Sequence, residues 1–433
     1  MPKKHLVDDL FCSLKSPTPW NSVEYISKEL LSSGFVELKE NDIWKINPEN
    51  KYFVTRNGSS LCAFITPQKK PQKSLLLGTH TDSPALKLKP NAEFRVNNYI
   101  LFGVEVYGEP LLSSWLNRDL GIAGRVVTKK NNTLSSHIVN ITDAPCMIAQ
   151  LAVHLDRDVN EKGLILNKQD HLSAIMALDD KSSENYLEKI LNPFIKNEPI
   201  LSHDLFLYPL QVPSFLGKNK EMIASYRLDN LVSAQAALTS LIHTSQKNPS
   251  QETIKMALFW DNEEIGSKTA QGAGSSFLSD TLGRIYALLK LSFEEQSIIK
   301  ANSLCVSIDV SHAVHPNYPT KHEPRHPLLL GEGIAIKNNA HMRYATDALS
   351  AALIIDLCKQ KKIPVQKFVS RTDIPSGSTI GPIHANRNGM KTVDIGIPQL
   401  SMHSSREIIA IKDYEYLCTL LQSLLDEEVP TCF

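Results

Sequence analysis

From Leu228 onward the chain follows one pattern that leaves few folds open to it. Segments with apolar residues at helical spacing, "LDNLVSAQAALTSLIHTS", "SFLSDTLGRIYALLKL" and "DALSAALIIDLCKQKKI", take turns with short apolar runs, "TIKMALFW", "SLCVSIDVS", "VQKFVS" and "KTVDIGIP". Runs of that length read as strands. Strands alternating with helices imply an α/β fold: a mixed, largely parallel sheet flanked by helices, with function at the strand ends.

The first part of the chain feeds the same architecture. A helix is expected in "SVEYISKELLSSGF", and the runs "KYFVTR" and "SLCAFITP" flank Asn57-Gly58, a strong hairpin signal. "SLLLGTHTDSP" reads as a buried strand whose carboxyl end delivers His80 and Asp82 into a loop. Between about Leu88 and Leu210 the texture changes. "YILFGVEVYG" and "GIAGRVVTKK" are short alternating strands, and "APCMIAQLAVHLDRDV" has the spacing of an amphipathic helix. The expected organisation is a catalytic domain in two segments, 1–87 and 213–433, interrupted by a β-rich module at 88–212. One continuous domain is the alternative, weakened because strand–helix alternation resumes only after Arg227.

Composition narrows the function classes. Lys and Arg number 46 and so do Asp and Glu, which points to neither nucleic acid nor an anionic membrane as partner. The acidic pair Asp8 and Asp9 interrupts the amino terminus before any long apolar run, so no secretory signal is expected. No stretch approaches the roughly 18 apolar residues of a membrane span. Seven scattered cysteines without a CxxC pair suggest reduced thiols rather than a disulfide framework or a thiolate zinc site. A cytoplasmic protein is the expectation.

Five places put a His, Asp or Glu at a strand end or a helix start: His80 in "GTHTDSP", Asp229 in "YRLDNLVSA", Glu263 and Glu264 in "DNEEIGS", Asp309 in "SIDVSHAVHPNY" and His403 in "LSMHSSRE". Singly, each has a plain explanation. His80 could be a hydrogen-bonded loop histidine, Asp229 a helix N-cap, Asp309 a turn former, His403 an exposed polar residue and the glutamate pair a solvated turn. Together they form an inventory. Zn²⁺ takes imidazole nitrogen and carboxylate oxygen, and a two-metal hydrolytic site needs two such sets plus a bridging group. Adjacent glutamates at a strand end would point to opposite sides, so one could grip a metal while the other moves a proton.

The wording "GTHTDSP", "RLDNL", "DNEEIGS", "DVSHAVHPNY", "RTDIPSGSTIGP" and "PQLSMHSSRE", in that order from His80 to Glu407, resembles the aspartyl aminopeptidases, a family of co-catalytic zinc exopeptidases. The resemblance implies two zinc ions per chain, one held by His80 and Asp309 and the other by Glu264 and His403. Asp229 would bridge them and Glu263 would be the general base. It also implies that the inserted module serves subunit association in a dodecamer built from dimers, with His154 reaching a neighbouring subunit's active site. On the residues alone His154 is a histidine on an amphipathic helix. Lys337, with Arg343 six positions on, matches the cation that faces an acidic substrate side chain. His312 and His315 would shape the pocket, and Asp373 and the loop from Ser376 to Gly381 would contact substrate.

The implied activity is hydrolysis of an N-terminal Asp or Glu from peptides. A di-metal deacylase of small N-acyl amino acids would present similar strand-end ligands, and a scaffold that kept the fold without the activity is the third reading. Carboxylate-rich sites discriminate weakly among Zn²⁺, Mn²⁺ and Co²⁺.

Overall fold

The computed structural model describes residues 3–182, 184–247 and 250–427. They pack as two units. One comprises the residues up to Asp82, Ser214–Met402 and the stretch from Glu407 on; the other comprises Ser83–Pro213 with His403–Arg406.

The first unit is built on a nine-stranded sheet in the order Val36–Leu38, Lys51–Arg56, Ser60–Ile65, Thr253–Trp260, Lys73–His80, Leu304–Ile308, Lys391–Gly396, Ile334–Lys337, Val365–Phe368. Its four central strands, from Thr253–Trp260 to Lys391–Gly396, run parallel to one another. Antiparallel pairs join Thr253–Trp260 to Ser60–Ile65 and Lys391–Gly396 to Ile334–Lys337, so the sheet is mixed. All eight residues of Thr253–Trp260 are buried, as expected of a strand covered on both faces. The two faces feed two cores. Leu75, Leu77, Ala257 and Phe259 pack with the helices Leu228–Ser245 and Ile411–Asp426, while Leu76, Met256, Leu258 and Trp260 pack with Phe277–Leu288. A period of two along each strand thus divides one apolar run between opposite layers.

Local signals account for the element ends. Asn57 and Gly58 both have positive φ, at 54° and 66°, as a tight hairpin between Lys51–Arg56 and Ser60–Ile65 requires. The helix Leu228–Ser245 is buried around nearly its whole circumference. Its small residues, Ser233, Ala234, Ala236, Ala237 and Ser240, let neighbouring layers approach on every side. A five-stranded sheet, Ser214–Leu216, Met222–Ser225, Glu407–Ala410, Pro398–Leu400 and Ser311–His312, completes this unit.

The second unit is a six-stranded sheet ordered Thr133–Cys146, Leu120–Lys130, Ile200–Pro209, Ala85–Val96, Tyr99–Tyr107, Ala174–Leu178, with every neighbouring pair antiparallel. The helix Tyr186–Ile195 turns Leu187, Leu191 and Ile195 inward behind the N-cap Asn185, whose side chain accepts from Glu188. Residues 144–159 differ from the helix expected there. The strand runs on to Cys146, Met147 bridges to Ile175, and only Val159–Lys162 is helical. Strand pairing takes up the first residues, and Leu151 and Leu155, one turn apart on the face such a helix would bury, are left 58% and 75% exposed. A short helix without tertiary packing does not hold in water.

Among the described residues no helix is long and apolar enough to cross a membrane. The six described cysteines form no disulfide, and Cys432 lies outside the described residues.

Candidate metal centre

The parallel core of the sheet brings the expected residues to one edge. His80 is the last residue of Lys73–His80 and pairs across the ladder with Trp260. Asp261 to Glu264 therefore emerge beside it, and Asp309 emerges on the other side, just past Leu304–Ile308. Asp309 is held down by its own backbone, which donates to the Ile395 carbonyl at 2.9 Å. Gly396 lies so close beneath the Asp309 carbonyl that a Cβ there would collide with it.

Asp82 organises the neighbouring loop. Its Oδ1 accepts from the Glu263 N–H and its Oδ2 from the Glu264 N–H, each at 3.1 Å. Its main-chain oxygen lies 3.0 Å from His80 Nδ1. A carbonyl only accepts, so Nδ1 carries a proton and Nε2 is the nitrogen that faces the site. The two glutamates do not alternate as strand residues would. Asn262 takes a left-handed φ of 60°, and Glu263–Ile265 form a 3₁₀ turn, in which successive side chains are about 120° apart rather than 180°. The side-chain oxygen of Asn262 anchors this turn to the following loop through Thr269 Oγ1 at 2.8 Å and Gln271 Nε2 at 2.9 Å.

Asp229 comes from the far side. It has non-helical φ and ψ of −81° and 102° within the first turn of Leu228–Ser245. Its N–H donates to Glu407 Oε2 at 3.0 Å, and the next residue, Asn230, donates from Nδ2 to the Ile308 carbonyl at 2.8 Å. This irregular first turn is tied to the sheet at two points.

These supports converge on His80 Nε2, which lies 3.5 Å from Asp229 Oδ1 and 3.6 Å from Asp309 Oδ1. His80, Asp229 and Asp309 each offer a ligand atom within 4.8 Å of the others, and so do His80, Glu263 and Glu264. Burial opposes charge on the His80 imidazole, but Asp229, Asp309 and Asp82 outweigh it and hold the pKa well above the ordinary histidine value. Burial, reinforced by Asp309, Asp82 and Asp229, pushes Glu263 up to about 8 against the opposing pull of His80. Asp261, behind them, is lifted to about 7 by burial and by Asp82. So many carboxylates in one buried place repel unless cations join them. The buried Asp309 Oδ1 accepts no hydrogen bond among the described residues. Imidazole nitrogen, carboxylate oxygens and such an unoccupied acceptor fit Zn²⁺ or a similar divalent ion.

The remaining expected residues are placed as follows. Lys337 ends Ile334–Lys337, is buried, and sets Nζ 3.5 Å from Asp309 Oδ2 and 5.4 Å above the Tyr344 ring. Burial disfavours its ammonium, but Asp309 and its neighbours more than restore it. His312 is exposed on Ser311–His312, its ring 6.3 Å from Phe368. The His315 N–H donates to His322 Nε2 at 3.0 Å. Asp373 is exposed and paired with Arg371 at 2.7 and 2.9 Å, which holds its carboxyl below the usual range. Arg343 is exposed, and Ser376 donates to the Tyr344 hydroxyl at 3.1 Å. In the second unit His154 is exposed on the irregular stretch after Met147. His403, directly after Met402, belongs to that unit's short segment His403–Arg406. It has a φ of 65° and its Nδ1 lies 3.1 Å from the Glu109 carbonyl.

Sequence reasoning gave no role to Asp82, Glu407 or Asn262. Asp82 stands two residues past His80 at a strand end, and that spacing was the one available signal. Glu407 and Asn262 act through backbone groups of distant or neighbouring residues, which no spacing reports.

Comparison with known proteins bears on what this centre belongs to. The family model described as aminopeptidase I zinc metalloprotease (M18) matches residues 13–425. A probable M18 family aminopeptidase 2 of Borreliella burgdorferi is 39% identical over 430 residues, covering 98% of this chain and 99% of that one. An aspartyl aminopeptidase of Dictyostelium discoideum is 36% identical over 456 residues, covering 95% and 94% of the two chains. The solved S. cerevisiae mApe1 dodecamer superposes with a TM-score of 0.84 at 29% identity, covering 98% of this chain and 96% of that one. The chain belongs to the M18 family of zinc aminopeptidases.

Proposed function

We propose that this protein removes the N-terminal residue, preferably Asp or Glu, from peptides, with two zinc ions held per chain. The observation that carries this reading is the convergence of His80, Asp229 and Asp309 and of His80, Glu263 and Glu264 at one sheet edge. His80 and Asp309 would hold one ion and Glu264 and His403 the other, with Asp229 available to both. When bound, the ions supply Lewis acidity that acidifies a water and polarises the scissile carbonyl.

Glu263 moves the proton. As the water's oxygen bonds to the carbonyl carbon, Glu263 accepts the proton, and it returns that proton to the amide nitrogen as the C–N bond breaks. Metal-free, its pKa is pushed up to about 8. Positive charge alongside lowers such a value toward neutrality, where one carboxyl can both accept and donate. Asp82 keeps both glutamates aimed through their N–H groups. The buried ammonium of Lys337 receives the substrate's acidic side chain. His312 and Asp373 contribute to the rim that holds the peptide.

The inserted module, 88–212, carries subunit association, and the assembly is a homo-oligomer built on the plan of the mApe1 dodecamer. The exposed Leu151, Val153 and Leu155 around His154 support this, because they form an apolar surface the chain leaves uncovered. His154 is thereby brought to a neighbouring subunit's active site.

The test is a metal-stripped preparation to which Zn²⁺, Mn²⁺ or Co²⁺ is returned, assayed on chromogenic Asp, Glu and Leu substrates with the bound metal counted. Two ions per chain with preferential release of Asp or Glu is the expected result. Bound metal with Leu cleaved as fast as Asp would overturn the substrate assignment, and bound metal without peptidase activity would overturn the proposed reaction.

A further inference from the structure

Arg227 is a charged side chain that the proposed chemistry does not use, yet it is only 2% exposed. A buried guanidinium is costly unless its donors are met. It donates through Nη2 to the Thr81 carbonyl and through Nη1 to the Ser16 carbonyl and to Ser22 Oγ, the last at 3.2 Å. Its backbone sits at a left-handed φ of 63°, a strained conformation for a residue with a side chain. The fold accepts both costs two residues before Asp229.

Each contact falls at a telling place. Thr81 stands between His80 and Asp82. On its amino side the Thr81 N–H donates to the Trp260 carbonyl at 2.6 Å, and Oγ1 donates to the Ser59 carbonyl at 2.9 Å. On its carboxyl side the Thr81 carbonyl belongs to the peptide that leads into Asp82, and Arg227 holds it. Asp82 in turn fixes His80 Nδ1 and both glutamate N–H groups. One side chain thus ties the segment bearing Asp229 to the loop bearing His80 and, through Asp82, to the glutamate turn. Ser16 and Ser22, on the link between the helices Lys3–Ser13 and Pro19–Ser32 and at the start of the second, brace it from behind.

We infer that Arg227 is a positioning residue that sets the register between Asp229 and the His80–Asp82 loop. The inference rests on the metal-centre reading above. A lysine carries the charge but not the planar fork, so it cannot meet Thr81 and Ser16 together.

The experiment compares zinc-loaded wild type with Arg227→Lys and Ser22→Ala, timing zinc release to an excess of a chromogenic chelator and measuring thermal unfolding and kinetics. Altering groups that orient metal ligands costs about 10- to 100-fold in affinity or activity. Arg227→Lys is expected to release zinc at least about 10-fold faster and to lose kcat by a similar factor, with KM changed less than about 3-fold. Ser22→Ala, which removes one brace without entering the site, is expected to speed release about 3-fold. A folded Arg227→Lys protein of lowered thermal stability that releases zinc at the wild-type rate would make Arg227 a structural buttress and overturn the inference. Where Arg227→Lys does not fold, an unchanged release rate in Ser22→Ala overturns it. Wild type that binds no zinc would instead sink the metal-centre reading beneath it, a result separable from either.

Discussion

Replacing Glu263 by glutamine separates the electrostatic burden of a buried carboxyl from the proton transfer proposed for it. In the metal-free protein its pKa is lifted from the ordinary 4.5 to about 8, chiefly by burial and then by Asp309, Asp82 and Asp229. The folded chain therefore keeps a proton that the unfolded chain has lost, and linkage gives the sign. Stability is full below pH 4.5, declines as pH rises toward 8, and is level beyond. At about 1.36 kcal/mol per pH unit the interval sets a ceiling of about 5 kcal/mol. Glu263→Gln cannot ionise and avoids this loss. Metal-free wild type and variant should unfold together at about pH 4, while at about pH 8.5 the variant should be higher by several degrees. Loaded with zinc, the variant should keep its metal and lose at least about 100-fold in kcat, the usual contribution of a positioned base. Unfolding curves that stay parallel at both pH values would refute the electrostatic reasoning. Turnover within about 10-fold of wild type, with zinc retained, would refute the role of base.

Three further substitutions probe the supports. Asp82→Asn keeps the shape but sets an amide donor against one of two glutamate N–H groups, forfeiting about 1.5–3 kcal/mol of charge-assisted bonding. Zinc affinity measured by chelator competition should fall about 10- to 100-fold, and an unchanged affinity would count against the clamp. Lys337→Met should raise KM for an Asp substrate by about 10-fold or more while leaving a Leu substrate nearly unaffected. Parallel losses on both would mean that the ammonium serves Asp309, 3.5 Å away, rather than substrate. Gly396→Ala drives a methyl into the Asp309 carbonyl; it should cost about 1–3 kcal/mol in thermal unfolding and weaken zinc binding. Wild-type values for both would show slack in the strand end that carries Asp309.

The fold was legible wherever a segment's own pattern agreed with its burial. "TIKMALFW" is a strand over its full length, Thr253–Trp260, and "LDNLVSAQAALTSLIHTS" has the bounds of Leu228–Ser245, helical apart from the break at Asp229 and Asn230. Both are buried all round, so nothing outside the segment competes with its period. The stretch 144–159 failed for the opposite reason. Leu151 and Leu155, one helical turn apart, mark a face, but a face forms structure only against something, and both stay exposed among the described residues. The strand Ala174–Leu178 was missed because its pattern is short and its pairing partner, Tyr99–Tyr107, lies far away in sequence.

The site was legible at its donors and opaque at its supports. His80, Asp229, Glu263, Glu264 and Asp309 drew attention because each side chain can by itself hold a metal or a proton, and strand ends are where a parallel sheet exposes such groups. How the two glutamates share the site was not legible. The pleat of a strand would have sent them apart, whereas a left-handed Asn262 starts a 3₁₀ turn instead. What aims that turn is Asp82, and its effect passes through amide protons that every residue but proline possesses. Arg227 works likewise, through the carbonyl of Thr81. A backbone group has no letter in the sequence, so a residue whose work is to hold one looks no different from a solvated charge. The sign that separates the two is burial: an Asp or Arg removed from water must be met by partners, and at this centre those partners are the peptide groups that flank the candidate ligands.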